Sequence, residues 1–169
     1  MTVDSVIIHD IRSSHNVGAI LRTCDGFGVK KVYIGGLSPY PKITNDTRLP
    51  HIIAKLTKDI SKTALGAEQS VEIIPYSDIN NCIADRHSEG LKVVALEQAE
   101  NSTYLHEVPD FGGISLIIGR EVEGIDPEIL NKCDAIVEIP MYGSKESFNV
   151  SVACGIALYA LCNNRVRTI

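Results

Sequence analysis

Six short apolar runs, none longer than a strand, recur along the chain, and helix-like segments lie between several of them. This alternation limits the fold more than any other feature. Residues 3–8 (VDSVII), 32–36 (VYIGG), 71–76 (VEIIPY), 91–97 (LKVVALE), 114–119 (ISLIIG) and 135–140 (AIVEIP) read as strands. Near-continuous apolar runs belong to strands buried on both faces, and strands joined through helices make parallel crossovers. The expected fold class is therefore α/β, a parallel sheet with helices on both faces. Val17, Ile20, Leu21, Cys24 and Phe27 have helical spacing that ends at Gly28. Residues 77–89 (SDINNCIADRHSE) read as a helix capped by Ser77. Residues 126–133 (DPEILNKC) read as a short helix with Asp126 as cap and Pro127 in its first turn.

Two stretches fit less simply. Residues 36–56 carry three prolines and are read as one long connection; loops beyond about 12–15 residues in a compact domain are usually functional. From Val150 to Cys162 nearly every residue is apolar, which for a helix means burial on all sides. That run is shorter than the roughly 20 residues a membrane span needs. Polar Ser147, Asn149 and Ser151 stand at its mouth, and either Ser147 or Asn149 can serve as the N-cap.

The 169 residues fit one domain, 1–169, and 44% hydrophobic content supports a sizeable core. The first residues show no basic segment followed by an apolar one, so a cytoplasmic location is expected. Five dispersed cysteines without a C-x-x-C pair argue against a disulfide framework and against a zinc site, and no metal is expected. Net charge is −5, which disfavours nucleic acid as a partner until its distribution is considered. Residues 1–62 hold nine Lys/Arg against five Asp/Glu, while residues 63–169 hold seven against sixteen. A basic surface confined to the first third is compatible with the acidic total.

In an open parallel sheet, ligands bind outside the carboxyl ends of the strands. Three polar clusters follow strands here: SSHNVGAILRTCDGFG (13–28), IIGREVEGIDP (117–127) and IPMYGSKESFN (139–149). Asn16 and Arg22 lie in the first, with Arg22 expected to be partly enclosed. Gly119 and Gly124 in the second let the backbone bend and approach a ligand. No phosphate-binding glycine loop, dinucleotide fingerprint, H-E-x-x-H or nucleophile elbow competes for these residues.

In this order and spacing the clusters resemble the motifs of the SPOUT class of RNA methyltransferases, specifically the TrmH (SpoU) family of ribose 2′-O-methyltransferases. The likeness runs from about residue 6 to residue 162. Arg120 and Val122 depart from it, standing where many members carry Asn and Gly, as does Phe148 where Leu or Met is usual. The resemblance implies a C-terminal trefoil knot, a homodimer and S-adenosylmethionine as cofactor. Periodicity alone gives only a plain doubly wound sheet. Carried over by position, Leu96, Gly119, Ile139 and Ser147 line the cofactor pocket. Arg22, Asn16, Glu121 and Asn149 form the catalytic set, with Arg22 bound to phosphate or to the developing negative charge, since a guanidinium is not deprotonated in a protein. The family's larger members carry an added RNA-binding domain, which is not expected here, so RNA, tRNA in preference to rRNA, is expected on Arg12, Lys42, Arg48 and Lys55 of this domain itself. Two other readings stand beside this one: a knotted protein that binds cofactor but has lost catalysis, and a flavodoxin-like nucleotide-binding module. The second lacks a phosphate cradle after the first strand.

Overall fold

A computed structural model describes residues 1–163. β1 (Thr2–His9), β2 (Lys31–Gly35), β3 (Glu72–Tyr76), β4 (Lys92–Leu96), β5 (Thr103–Tyr104), β6 (Gly113–Ile118) and β7 (Ala135–Glu138) form one sheet in the order β3-β2-β1-β6-β4-β7-β5. Its strand pairings are parallel. Successive side chains leave a strand on opposite faces, and the apolar runs supply both. Val6, Ile8, Val32, Ile34, Leu116 and Ile118 enter one core, whereas Ile7, Tyr33 and Ile117 enter the other.

Helices cover both faces. The first core is closed by α1 (Ser14–Gly26), α2 (Pro50–Ala64) and α6 (Val150–Asn163), which contribute Ile20, Leu21, Ile60, Ala157 and Leu158. The second is closed by α4 (Ile79–Ser88) and α5 (Pro127–Leu130), through Cys82, Ile83 and Ile129. Each Ile or Leu fully removed from water contributes about 1.5–3 kcal/mol, so the two-sided pattern holds the sheet between its layers. Among the described residues no helix is long and apolar enough to cross a membrane.

The structure corrects several local readings. The connection after β2 ends at Pro50, not at residue 56: the proline takes the first helical position, where its missing N–H costs nothing. Ile53, Leu56, Ile60 and Ala64 then turn inward at helical spacing, and Leu65 closes the helix at φ 51°. α3 (Ala67–Ser70) and the two-residue β5 are further elements that the apolar runs did not mark. Asp78, rather than Ser77, caps α4, accepting the Asn80 N–H at 2.8 Å. Asp126 holds the cap position of α5 without bonding its N–H groups. Ser13 caps α1, accepting the Asn16 N–H at 3.3 Å, which frees the Asn16 side chain for other bonds.

Candidate functional site

At the carboxyl edge of the sheet, the ends of β4, β6 and β7 and the start of α6 enclose a cleft of about 240 Å³. All four positions expected to hold cofactor, Leu96, Gly119, Ile139 and Ser147, line it. Gly119 is buried under its own loop: a Cβ there would overlap the Ile125 side chain and approach the Gly124 carbonyl at 3.2 Å. Gly124 has φ +70°, a conformation that favours glycine. These two residues let the 119–125 segment fold tightly along the cleft.

The sequence reading gave Glu97 no role, although it follows an apolar strand just as the other site residues do. Its carboxylate accepts the N–H of Ile125 at 2.8 Å and that of Gln98 at 2.9 Å, so β4 braces the 119–125 loop. Arg120 clasps the same loop from its other side. Its Nε donates to the Gly124 carbonyl at 3.2 Å, and its guanidinium pairs with Asp126. The departure from the family pattern at Arg120 thus supplies a structural clasp. Val122 and Phe148, the other two departures, stand on the cleft lining, Val122 almost wholly exposed.

Beside the cleft, three of the four expected catalytic residues meet in a hydrogen-bonded relay. The Asn149 Nδ2 donates to Asn16 Oδ1 at 3.2 Å, and the Asn16 Nδ2 donates to Glu121 Oε1 at 2.9 Å. At the far end Asn149 Oδ1 accepts the backbone N–H of Ser151 at 3.0 Å and its hydroxyl at 2.6 Å. The ends fix the sense of the whole chain, because an ionised carboxylate only accepts and a backbone N–H only donates. Each amide therefore has one permitted orientation. Asn149 is also the cap of α6, which decides between it and Ser147: Asn149 closes the helix, and Ser147 is left facing the cleft.

Arg22 does not join this relay. Six residues turn an α-helix by about 600°, which sets Arg22 and Asn16 on different sides of α1. The guanidinium is exposed rather than partly enclosed, and among the described residues it makes no hydrogen bond or ion pair. Asn16 and Glu121, grouped with it in the expected catalytic set, bond each other instead. Arg12, Lys42 and Lys55 are exposed, and Lys55 lies on α2 rather than in a loop. Arg48 differs from them in having its guanidinium engaged within its own loop.

A second polar cluster lies at the ends of β1 and β3. His9 Nδ1 and the Tyr76 hydroxyl are 2.7 Å apart, and the same hydroxyl donates to the Ile8 carbonyl at 3.2 Å. Burial lowers the pKa of His9 below the ordinary histidine value, against the opposing pull of Asp10 and Asp126. Burial also pushes thiols up, Cys82 to about 11 and Cys133 to about 12. Cys24 moves the same way through its contact with Cys154 and its burial. These three cysteines are poor nucleophiles at neutral pH. Among the described residues no group of His, Cys, Asp or Glu is arranged to hold a metal ion.

A parallel sheet with a cleft across its carboxyl edge, and an oriented amide relay at the mouth, defines an α/β domain of the open-sheet class, in which that edge is where ligands bind. The model of the SpoU rRNA Methylase family matches residues 5–159, and the chain belongs to that family. The family likeness read from the three motifs is borne out. A 23S rRNA (guanosine-2′-O-)-methyltransferase, RlmB, of Coxiella burnetii is 31% identical over 160 residues, which cover 95% of this chain and 58% of the relative. This chain thus spans less than two thirds of that relative's length. Among solved structures, the A. aeolicus TrmH/SpoU tRNA modifying enzyme superposes with a TM-score of 0.77 at 28% identity, covering 97% of this chain and 76% of that one. An AdoMet-bound rRNA methyltransferase from Sinorhizobium meliloti gives 0.79 at 21% identity over 97% of this chain and 57% of its own, a likeness of fold.

Proposed function

We propose that this chain is a single catalytic domain that methylates a ribose 2′-hydroxyl of RNA, using S-adenosylmethionine, with tRNA preferred over rRNA and in the cytoplasm. The observation that carries the reading is the adjacency of the Leu96–Gly119–Ile139–Ser147 cleft to the Asn149–Asn16–Glu121 relay in a member of the SpoU family.

The residues present fit the cofactor. Apolar walls at Leu96, Ile139 and Val150 suit an adenine ring, and the close-approaching backbone of the 119–124 segment offers amides and carbonyls to its edge. Carboxylates of Glu97, Glu121, Glu138 and Glu146 on the same lining suit a ligand carrying a sulfonium and an ammonium. When bound, the cofactor supplies a methyl carbon already activated by positive sulfur, so no metal is required. The chain's task is to place the 2′-oxygen in line with that carbon and manage one proton. Glu121, held through Oε1 by Asn16, and Asn149 fix the polar rim against which the ribose is placed. Arg22, exposed, unpaired among the described residues and outside the cleft lining, holds a phosphate of the RNA or, at a second subunit's site, the developing charge on the oxygen.

A C-terminal trefoil knot and a homodimer belong to the same proposal. The dimer has support from α6: Val152 is 50% and Tyr159 65% exposed, seven residues apart on one helix face. A second copy covering this stripe removes it from water. Light scattering should then give about twice the 18.4 kDa chain mass.

The decisive experiment incubates the chain with S-adenosylmethionine and either bulk tRNA or fragments of 23S rRNA, then maps 2′-O-methyl groups. Methylation of a tRNA ribose supports the proposal in full. Methylation of rRNA alone corrects the substrate, and a methylated base overturns the chemistry. A bound cofactor with no transfer to either RNA selects the non-catalytic reading.

A further inference from the structure

The loop from residue 37 to residue 49 is long and polar, yet it is tied down at three places. At its start, the Ile11 N–H donates to the buried Ser38 hydroxyl at 2.9 Å, which fixes the loop beside Arg12. At its middle, the Lys42 N–H donates to Thr57 Oγ1 on α2 at 2.9 Å, next to Lys58 and two residues from Lys55. At its end sits Arg48. Its Nε donates to Asp46 Oδ1 at 2.9 Å, one terminal nitrogen to the Tyr40 carbonyl at 2.9 Å, and the other to the Pro41 carbonyl at 2.9 Å and Asp46 Oδ2 at 2.5 Å. The guanidinium also lies 3.6 Å from the centre of the Tyr40 ring. The Asp46 side chain is only 4% exposed, and Arg48 holds its carboxyl well below the usual carboxylate range.

Four of the five Arg48 N–H groups are taken and one face lies on the Tyr40 ring, so this cation has little left to offer a phosphate. Its planar fork matches two carbonyls, a carboxylate and a ring at once, which a lysine cannot reproduce. The clasp holds Tyr40, which packs against the main core, and with it the course of the whole loop. What the closed loop fixes is the placement of Lys42 between Arg12 on one side and Lys55 and Lys58 of α2 on the other, all four exposed.

We propose that Arg48 and Asp46 are positioning residues that hold the 37–49 loop as a preformed platform for the RNA backbone, with Arg12, Lys42, Lys55 and Lys58 as its phosphate contacts. This rests on the RNA-methylating reading above. Preorganisation lowers the entropy that binding must otherwise overcome, so loosening the loop weakens RNA without touching a phosphate contact. The sign of one substitution then separates positioning from charge. Asp46→Asn removes a negative charge from a basic surface, which on charge alone strengthens RNA binding. As a loss of the clasp it weakens binding.

The test is tRNA binding by fluorescence anisotropy over a salt series, with affinity for S-adenosylhomocysteine and the melting temperature measured on each variant. Asp46→Asn is expected to bind tRNA about tenfold more weakly, equivalent to immobilising one or two extra side chains. Arg48→Lys is expected to be as weak, while S-adenosylhomocysteine affinity stays at the unmodified value. Thr57→Val, which cuts only the tie to α2, should weaken tRNA in the same direction and serves if Asp46→Asn does not fold. Lys42→Ala with Lys55→Ala should lower affinity and flatten the salt slope by about two contacts. If the double lysine variant weakens tRNA but Asp46→Asn binds as well as the unmodified chain or better, the positioning role is wrong. If the double lysine variant binds normally, the platform itself is wrong and the RNA lies elsewhere. Full rescue by Arg48→Lys assigns Arg48 a plain phosphate contact and overturns the clasp.

Discussion

Asn149 does two jobs that one substitution removes together and another separates. Its carbonyl oxygen caps α6 through Ser151, and its amide nitrogen donates into the relay toward Glu121. Asn149→Ala removes both. Loss of an N-cap costs about 1 kcal/mol, and an exposed side-chain hydrogen bond adds about 0.5 kcal/mol. For a chain of this size, about 1.5 kcal/mol lowers the melting temperature by roughly 3–6 °C. Asn149→Asp keeps an acceptor over the first turn, where a negative charge is also favoured by the helix dipole. It has no donor for Asn16, however, and a reversed Asn16 amide would turn its carbonyl toward the Glu121 carboxylate. The aspartate variant should therefore melt within about 1 kcal/mol of the unmodified chain while losing most methyl transfer. The assays are thermal melting by circular dichroism and single-turnover transfer of labelled methyl to tRNA. An aspartate variant as unstable as the alanine variant would refute the capping role. One with unimpaired turnover would refute the claim that the relay must run toward Glu121.

Gly119→Val should weaken S-adenosylhomocysteine binding in calorimetry, because its Cβ collides with Ile125 and Gly124 and displaces the loop lining the cleft; unchanged affinity would place the cofactor elsewhere. Arg22→Ala should leave the melting temperature nearly unchanged, since the side chain is exposed and unpaired among the described residues, while nearly abolishing methyl transfer. Arg22→Lys should not restore it, and full recovery would show that a point charge suffices. His9 binds its proton less readily when folded than at the ordinary value of 6.5, so the unfolded chain gains protons first as pH falls. Its contribution is complete above pH 6.5 and is lost below it; melting temperatures from pH 8 to pH 5 should fall less steeply in His9→Gln, and an identical slope would sink the assignment.

The apolar runs carried the sheet because each strand is buried on two faces, and burial leaves a compositional mark. They missed β5, whose two residues are exposed and paired only with β7. They also ran past α2, although Pro50 followed by inward positions at 53, 56, 60 and 64 is a helix signal in its own right. At the site, Gly119, Leu96, Ile139 and Ser147 were found because strand ends and family motifs coincide. Glu97 and Arg120 were not assigned their bracing roles, because each acts on the backbone of a distant or folded-back segment. A lone charge in sequence does not show which carbonyl or N–H it will meet. Arg48 illustrates the same limit: counted as a loop cation, it becomes an internal clasp only once Asp46, Tyr40 and Pro41 are brought around it.

The relay joins residues far apart in the chain: Asn16 and Glu121 are 105 positions apart, and Asn149 and Asn16 are 133. β1 lies between β2 and β6, so one of its edges waits for a strand that begins at Gly113. At translation speeds of about 5–20 residues per second, residue 149 follows residue 16 by roughly 7 to 27 s. For most of that interval the growing polypeptide has Asn16 but neither of its partners, and from residue 121 to residue 149 it has Glu121 alone. A product truncated before Asn149 lacks the relay however well its earlier strands have paired, so the complete relay is acquired only late in synthesis.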